Sequence, residues 1–206
     1  MIQPLAKGHV RHFILFHKGK SFFSRLISWH TRGPYTHVSL AEPQWLLRSL
    51  DGSGQFLPIY FMPLFEAMEG RRTGETGRTI LSCYEEVEVC YFDAPEDQWE
   101  AAVDALFEQK GKGYDWPAIF GFIIRKTGEQ RKASNKWFCS ELAAWFAEKA
   151  GVRLLNDTIE HWQTSPVVLR GSPKLRLFCT KQAHKQGEAP VFTWEPSAGY
   201  EEYAAG

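Results

Sequence analysis

Nine residues, Tyr84 to Phe92 (YEEVEVCYF), alternate between acidic and apolar through their centre. On an extended backbone Val87, Val89 and Tyr91 fall on one face, and Glu86, Glu88 and Cys90 on the other. A period of two belongs to a strand and not to a helix. A strand must find neighbours for its backbone groups, so this run commits the chain to a sheet. The next segment, DAPEDQWEAAVDALFEQKGKG, reads as a helix. Asp93 is its expected cap, Pro95 stands in its first turn, and Gly111 or Gly113 stops it.

Other elements follow from the same signals. HFILF (His12–Phe16) is a first strand. SFFSRLISWH places Phe22, Phe23, Leu26, Ile27 and His30 at helical spacing, a short helix facing the core rather than a membrane surface. THVSLA and WLLRSL, separated by EPQ, read as a hairpin turning at Pro43. GQFLPIYF is a further extended stretch and EGRRTGETGR a polar loop. DWPAIFGFIIRK is a second helix, with Asp115 as its cap. KWFCSELAAWFAEKAG is a third, stopped by Gly151. KLRLF (Lys174–Phe178) is a last strand. Strands and helices do not alternate strictly, which points to an α+β fold with a mostly antiparallel sheet. Residues 1–180 form the expected domain. Residues 181–206, rich in Gly, Pro and Glu, are the expected polar tail, flexible or loosely docked.

Charge excludes one class of partner. Lys and Arg number 24, as do Asp and Glu, so no basic field for nucleic acid is expected. No run is long and apolar enough for a transmembrane helix, and the start lacks a signal-peptide h-region, so a cytoplasmic protein is expected, with release by lysis or assembly into a particle as the other routes. Of the four cysteines none is in a CxxC pair. A Cys83–Cys90 bridge is feasible in an oxidising compartment, but four reduced thiols are the plainer reading. His9 and His12 diverge on a strand, so neither a metal nor another cofactor is expected.

Cys139 stands apart from the other cysteines because it opens a helix, with Ser134 or Asn135 available as the cap. A helix head favours a thiolate and offers N–H groups to an oxyanion. A thiol nucleophile needs a base. His37 begins a strand after the GPY turn, where a side chain can reach a cleft. With the hairpin turning at Pro43, His37 lies opposite Ser49 and shares a face with Ser39 and Ala41. Ser49 is the candidate to orient the imidazole, with Asp51 as the backup. Tyr35, Tyr114 and Trp137 are candidates to line the cleft. Glu141 points away from the thiol, so a structural ion pair or a hydrogen bond to a loop is expected of it.

A histidine on a strand, a polar residue twelve positions later and a cysteine heading a helix resemble the NlpC-type cysteine peptidases. The histidine-first order resembles their circularly permuted branch, the YiiX-like and lecithin retinol acyltransferase-like proteins. SFFSRLISWHTRGPYTHVSL is similar to that branch's opening helix and strand, GKGYDW to its G-x-x-Y-D element, and WFCSEL to its C-S-E-L motif. Where this chain has Ser49, the YiiX-like proteins usually carry Glu. The resemblance spans roughly residues 8–155. It implies a permuted papain-like fold and a cysteine hydrolase acting on peptide amides, such as cell-wall peptides, or on acyl esters, with Cys139, His37 and Ser49 as the triad. Two other readings remain: a non-catalytic binding or virion component that keeps the fold, and a thiol acyltransferase.

Overall fold

The computed structural model describes residues 4–19, 22–41, 62–67, 73–78, 84–114 and 136–182. Eight strands are present among them: β1 (His9–Gly19), β2 (His37–Ala41), β3 (Met62–Glu66), β4 (Gly74–Arg78), β5 (Tyr84–Pro95), β6 (Gly113–Tyr114), β7 (Lys136–Trp137) and β8 (Arg176–Gln182). The helices are α1 (Phe22–Thr31), α2 (Glu96–Phe107), α3 (Cys139–Lys149) and α4 (Pro166–Arg170), with a 3-10 turn at His161–Gln163. Six strands form one sheet in the order β4-β3-β2-β1-β5-β8. Its pairings are all antiparallel. This is the α+β architecture that the strand and helix order implied.

The sheet has two distinct faces. On one, Ile14, Phe16, Val38, Leu40, Cys90, Phe92 and Ala94 join residues of α2 and α3 in a single apolar cluster. Removing such side chains from water is the main force holding helices to sheet. Phe146 of α3 closes on the ring of His12 at 4.5 Å, and Trp99 of α2 donates from Nε1 to His12 Nδ1 at 3.1 Å. The alternate residues, Phe13, Leu15, His17, Ser39, Ala41, Val87, Val89 and Tyr91, point to the other face and are buried as well. Phe178 packs there on Phe13, ring centroids 5.1 Å apart.

Several expectations shift. The first strand runs His9–Gly19 and the last Arg176–Gln182, both longer than the apolar runs that announced them. Asp93 is not a helix cap. It stays in β5 and takes both ends of the Arg11 guanidinium, Nε to Oδ1 at 2.7 Å and Nη2 to Oδ2 at 2.8 Å, while Pro95 occupies the cap position of α2. A bidentate cation is a stronger partner for a carboxylate than the N–H groups of one helix end. The polar loop EGRRTGETGR contains β4, which pairs along its length with β3. As an edge strand it needs one partner and no buried face, so its polarity hid it. The WLLRSL half of the hairpin, the GQFLPIYF stretch, the DWPAIFGFIIRK helix and the tail beyond Gln182 lie outside the described residues. The described partners of β2 are β1 and β3.

Candidate active site

Cys139 is the first residue of α3, as its sequence context implied. The cap residue is Phe138, and Ser134 and Asn135 lie outside the described residues. Glu141 folds back so that its Oε2 accepts the Phe138 N–H at 3.4 Å, a long bond that occupies one free donor of the helix start. That is the structural hydrogen bond expected of Glu141. Ser140 fixes the same turn from its other side, its Oγ donating to the Thr164 carbonyl at 2.6 Å with both residues fully buried. The Cys139 side chain is 5% exposed and belongs to the cluster of Val38 and Leu40. α3 as a whole lies against β2, the strand that His37 opens.

A chain of contacts links the first turn of α3 to the turn before His37. From Thr164, bonded to Ser140, the chain enters α4. Val167 there abuts Gly33 so closely that a Cβ on Gly33 would lie 2.5 Å from Val167 Cγ2. Arg170 Nε then donates to Glu88 Oε2 at 2.7 Å, and Tyr35 donates to Glu88 Oε1 at 2.6 Å. Gly33 and Tyr35 belong to the turn that delivers His37.

The His37 ring, however, belongs to the other face. His37 is directly opposite His17 in the β1–β2 register, and the two rings are 5.4 Å apart. His17 Nε2 and Ser39 Oγ are hydrogen-bonded at 2.5 Å. All three residues are buried, His37 at 9% exposure. The Thr36 N–H donates to the His17 carbonyl just before β2 begins. Tyr35 lies on the Phe16 side of the sheet, ring centroids 5.8 Å apart, and His37 on the His17 side. The structure thus gathers His37, His17 and Ser39 into one cluster, while Cys139 packs on the Val38 and Leu40 side. Ser49 and Asp51 lie outside the described residues.

The remaining candidates divide. Tyr114 and Trp137 are brought together as partners in the short parallel β6–β7 ladder, which sets the GKGY element beside the residues leading to Cys139. Trp137 packs at a tilt on Trp145, ring centroids 5.2 Å apart, with Lys112 Nζ 5.8 Å over its ring. Its indole Nε1 is buried and meets no acceptor among the described residues. Tyr35 is committed elsewhere. Burial and the bond to Glu88 push its phenol well above the ordinary value, and its one proton is given to that carboxylate. It has no proton to spare for an oxyanion.

His17 and the Tyr35–Glu88–Arg170 group were not singled out from sequence. Parity along β2 already placed Ser39 beside His37. Adding His17 required knowing that β1 and β2 pair antiparallel with His17 and His37 in register, which nothing in the sequence fixes.

No protein-family model matches this chain, and no curated protein matches it. Its fold is an antiparallel sheet with α2 and α3 packed on one face, and a solved structure shares it. The crystal structure of metalloprotein YiiX from Escherichia coli O157:H7, DUF1105, superposes with a TM-score of 0.52 at 15% identity, over 85% of this chain and 97% of that one. The chain is thus YiiX-like in fold. For the metal in that neighbour's description, the described residues here supply no matching donor set, since no three of His, Cys, Asp and Glu cluster to hold an ion. No helix among the described residues is long and apolar enough to cross a membrane.

Proposed function

We propose that this chain is a cysteine-dependent amide or ester hydrolase of the permuted papain-like, NlpC-type class, with Cys139 as nucleophile and His37 as base. One observation carries the reading. A thiol opens a buried helix, that helix lies on the strand His37 opens, and contacts through α4 link the helix's first turn to the turn before His37. The YiiX-like fold supports the same assignment.

In this reading His37 takes the Cys139 proton, and the sulfur attacks the carbonyl carbon, forming a C–S bond. Backbone N–H groups of the first turn of α3 face the resulting oxyanion. Collapse breaks the C–N or C–O bond, and the leaving group departs with the proton from His37. Water, deprotonated by His37, then attacks the thioester, and the C–S bond breaks. Trp137 and Tyr114, paired beside the thiol's helix, line the approach of a peptide or acyl substrate, cell-wall peptides among them. The reading carries a geometric condition: His37 has to cross from the His17 face to the thiol side, which takes a change of backbone at the first residue of β2 and not a side-chain rotation alone.

The His17 contact also favours a second reading, a binding or virion component that keeps the fold without catalysis. Alkylation separates the two. The measurement is the iodoacetamide rate at Cys139, followed by peptide mass spectrometry, in the wild type and in His37→Ala. A hydrolase gives a wild-type rate near neutral pH well above that of a model thiol, and a slower His37→Ala. A wild-type rate no faster than a model thiol rejects the hydrolase.

A further inference from the structure

Helix α1 presents a surface that the chemistry at Cys139 does not use. Arg25 and Trp29 are exposed and lie one turn apart on α1, and the exposed Arg32 follows its last residue, extending the stripe past the helix end. Trp29 is 75% exposed, more than any other large apolar side chain among the described residues. Leu26 and Ile27 are only half-buried, so α1 faces the core less fully than its apolar spacing implied. The stripe is held firmly. The Gly33 N–H returns to the Ser28 carbonyl at 3.2 Å, Ser28 Oγ bonds the Gly33 carbonyl at 2.7 Å, and Gly33 is pinned against Val167. Arg32 occupies the left-handed position that ends the helix, φ 53°, where glycine is the usual residue.

Charge says what the stripe would meet. The first 41 residues contain Lys7, Arg11, Lys18, Lys20, Arg25 and Arg32 and not one Asp or Glu, although the whole chain is neutral. Arg11 and Lys18 are paired, with Asp93 and Glu86. Arg25 and Arg32 flank the exposed indole instead. An indole between two guanidinium groups matches the boundary of an anionic bilayer. The ring seats at the headgroup level, and the arginines lay their stems along apolar surface and reach lipid phosphates.

We propose that α1 is a docking face for an anionic lipid surface, with Trp29 as the inserted anchor and Arg25 and Arg32 as the electrostatic clasp. The helix lies along the interface and does not cross it. Because α1 runs directly into the turn that carries Tyr35 and His37, docking would place that end of the sheet at the membrane. The proposal is independent of any chemistry at Cys139.

The test is sedimentation of the full chain with vesicles of phosphatidylcholine alone and of phosphatidylcholine with phosphatidylglycerol. The wild type should pellet with the anionic vesicles and be released by salt. Trp29→Ser should lower the partition coefficient roughly tenfold, and Arg25→Glu with Arg32→Glu by at least about tenfold. Phe107→Ser, an exposed aromatic at the end of α2, should leave it unchanged. Circular dichroism verifies folding; Trp29→Ser, at a mostly exposed position, carries the test if the charge-reversed protein fails to fold. Brominated lipid should quench the wild type more than Trp29→Phe. No pelleting with anionic vesicles, or equal partition of wild type and Trp29→Ser, overturns the proposal.

Discussion

Acid should destabilise this protein through His12, and the size of the effect follows from the environment of that residue. His12 is enclosed by Phe92, Trp99 and Phe146, with ring centroids at 5.7, 6.3 and 4.5 Å. Trp99 donates to Nδ1, so the ring proton is on Nε2, which meets no acceptor among the described residues. Burial alone pulls the pKa from 6.5 to about 3. A base whose pKa is lowered on folding contributes stability that is fully present above its unfolded value. That contribution is lost as pH falls from 6.5 towards 3. Each pH unit in that window removes about 1.4 kcal/mol, so moving from neutrality to about pH 5 removes about 2 kcal/mol. His12→Phe keeps the aromatic packing and deletes the titration. At neutral pH it should cost about 1–2 kcal/mol, because Trp99 loses its acceptor. The assay is urea unfolding of both proteins at neutral pH and at about pH 5, where the wild type should lose about 2 kcal/mol more than the variant. Equal losses would show that the ring is hydrated or charged in the folded state, and would refute the burial argument.

Two further perturbations probe the end of the sheet that holds the candidate site. Glu88→Ala removes the acceptor shared by Tyr35 and Arg170, whose side chains stay largely covered. It should cost about 2–3 kcal/mol, roughly 5–10 °C in melting temperature. The Tyr35 phenol should then ionise at lower pH, read by ultraviolet titration; an unchanged titration would detach Tyr35 from Glu88. In the wild type the stability linked to this raised phenol pKa is intact below about pH 10 and falls as pH rises further. Ser39→Ala should leave His17 Nε2 buried without its hydroxyl and lower stability by about 1–2 kcal/mol. A thermal melt indistinguishable from the wild type would show that the His17–Ser39 bond is not formed in solution.

What the sequence revealed depended on whether the signal was local. The head of α3, the alternation of β5 and the Gly151 stop are written in neighbouring residues. Gly151 indeed adopts φ +77°, and a Cβ there would lie 1.8 Å from Gln98 Oε1. Glu141 as a structural rather than chemical group was equally local, three residues from the N–H it accepts. β4 and the fate of Asp93 were set by partners far along the chain. GETGR has nothing strand-like until Met62–Glu66 lies beside it. Asp93 resembles a cap until Arg11, 82 residues away, is found facing it. The Tyr35–Glu88–Arg170 group joins three elements and has no sequence signature at all.

The relation of Cys139 to His37 shows the same limit at its most consequential. Parity along β2 correctly grouped His37 with Ser39, yet it is silent on which face a helix covers. In a strand with one wet face, polar residues mark the side away from the helices. Here all five residues of β2 are buried, and so are residues 12–16 and His17 of β1. With no wet face on β2, a polar side chain on either side looks alike from sequence. The helices could have covered the His37 side or the Val38 side, and they cover the Val38 side. The entry to β2, with Tyr35 and His37 on opposite sides, then adds a second choice of side at the residue that matters. A site defined by two side chains from distant segments is therefore only as legible as the faces of the sheet between them. In this fold the chemistry proposed for Cys139 turns on whether the start of β2 holds His37 beside His17 or presents it to the thiol.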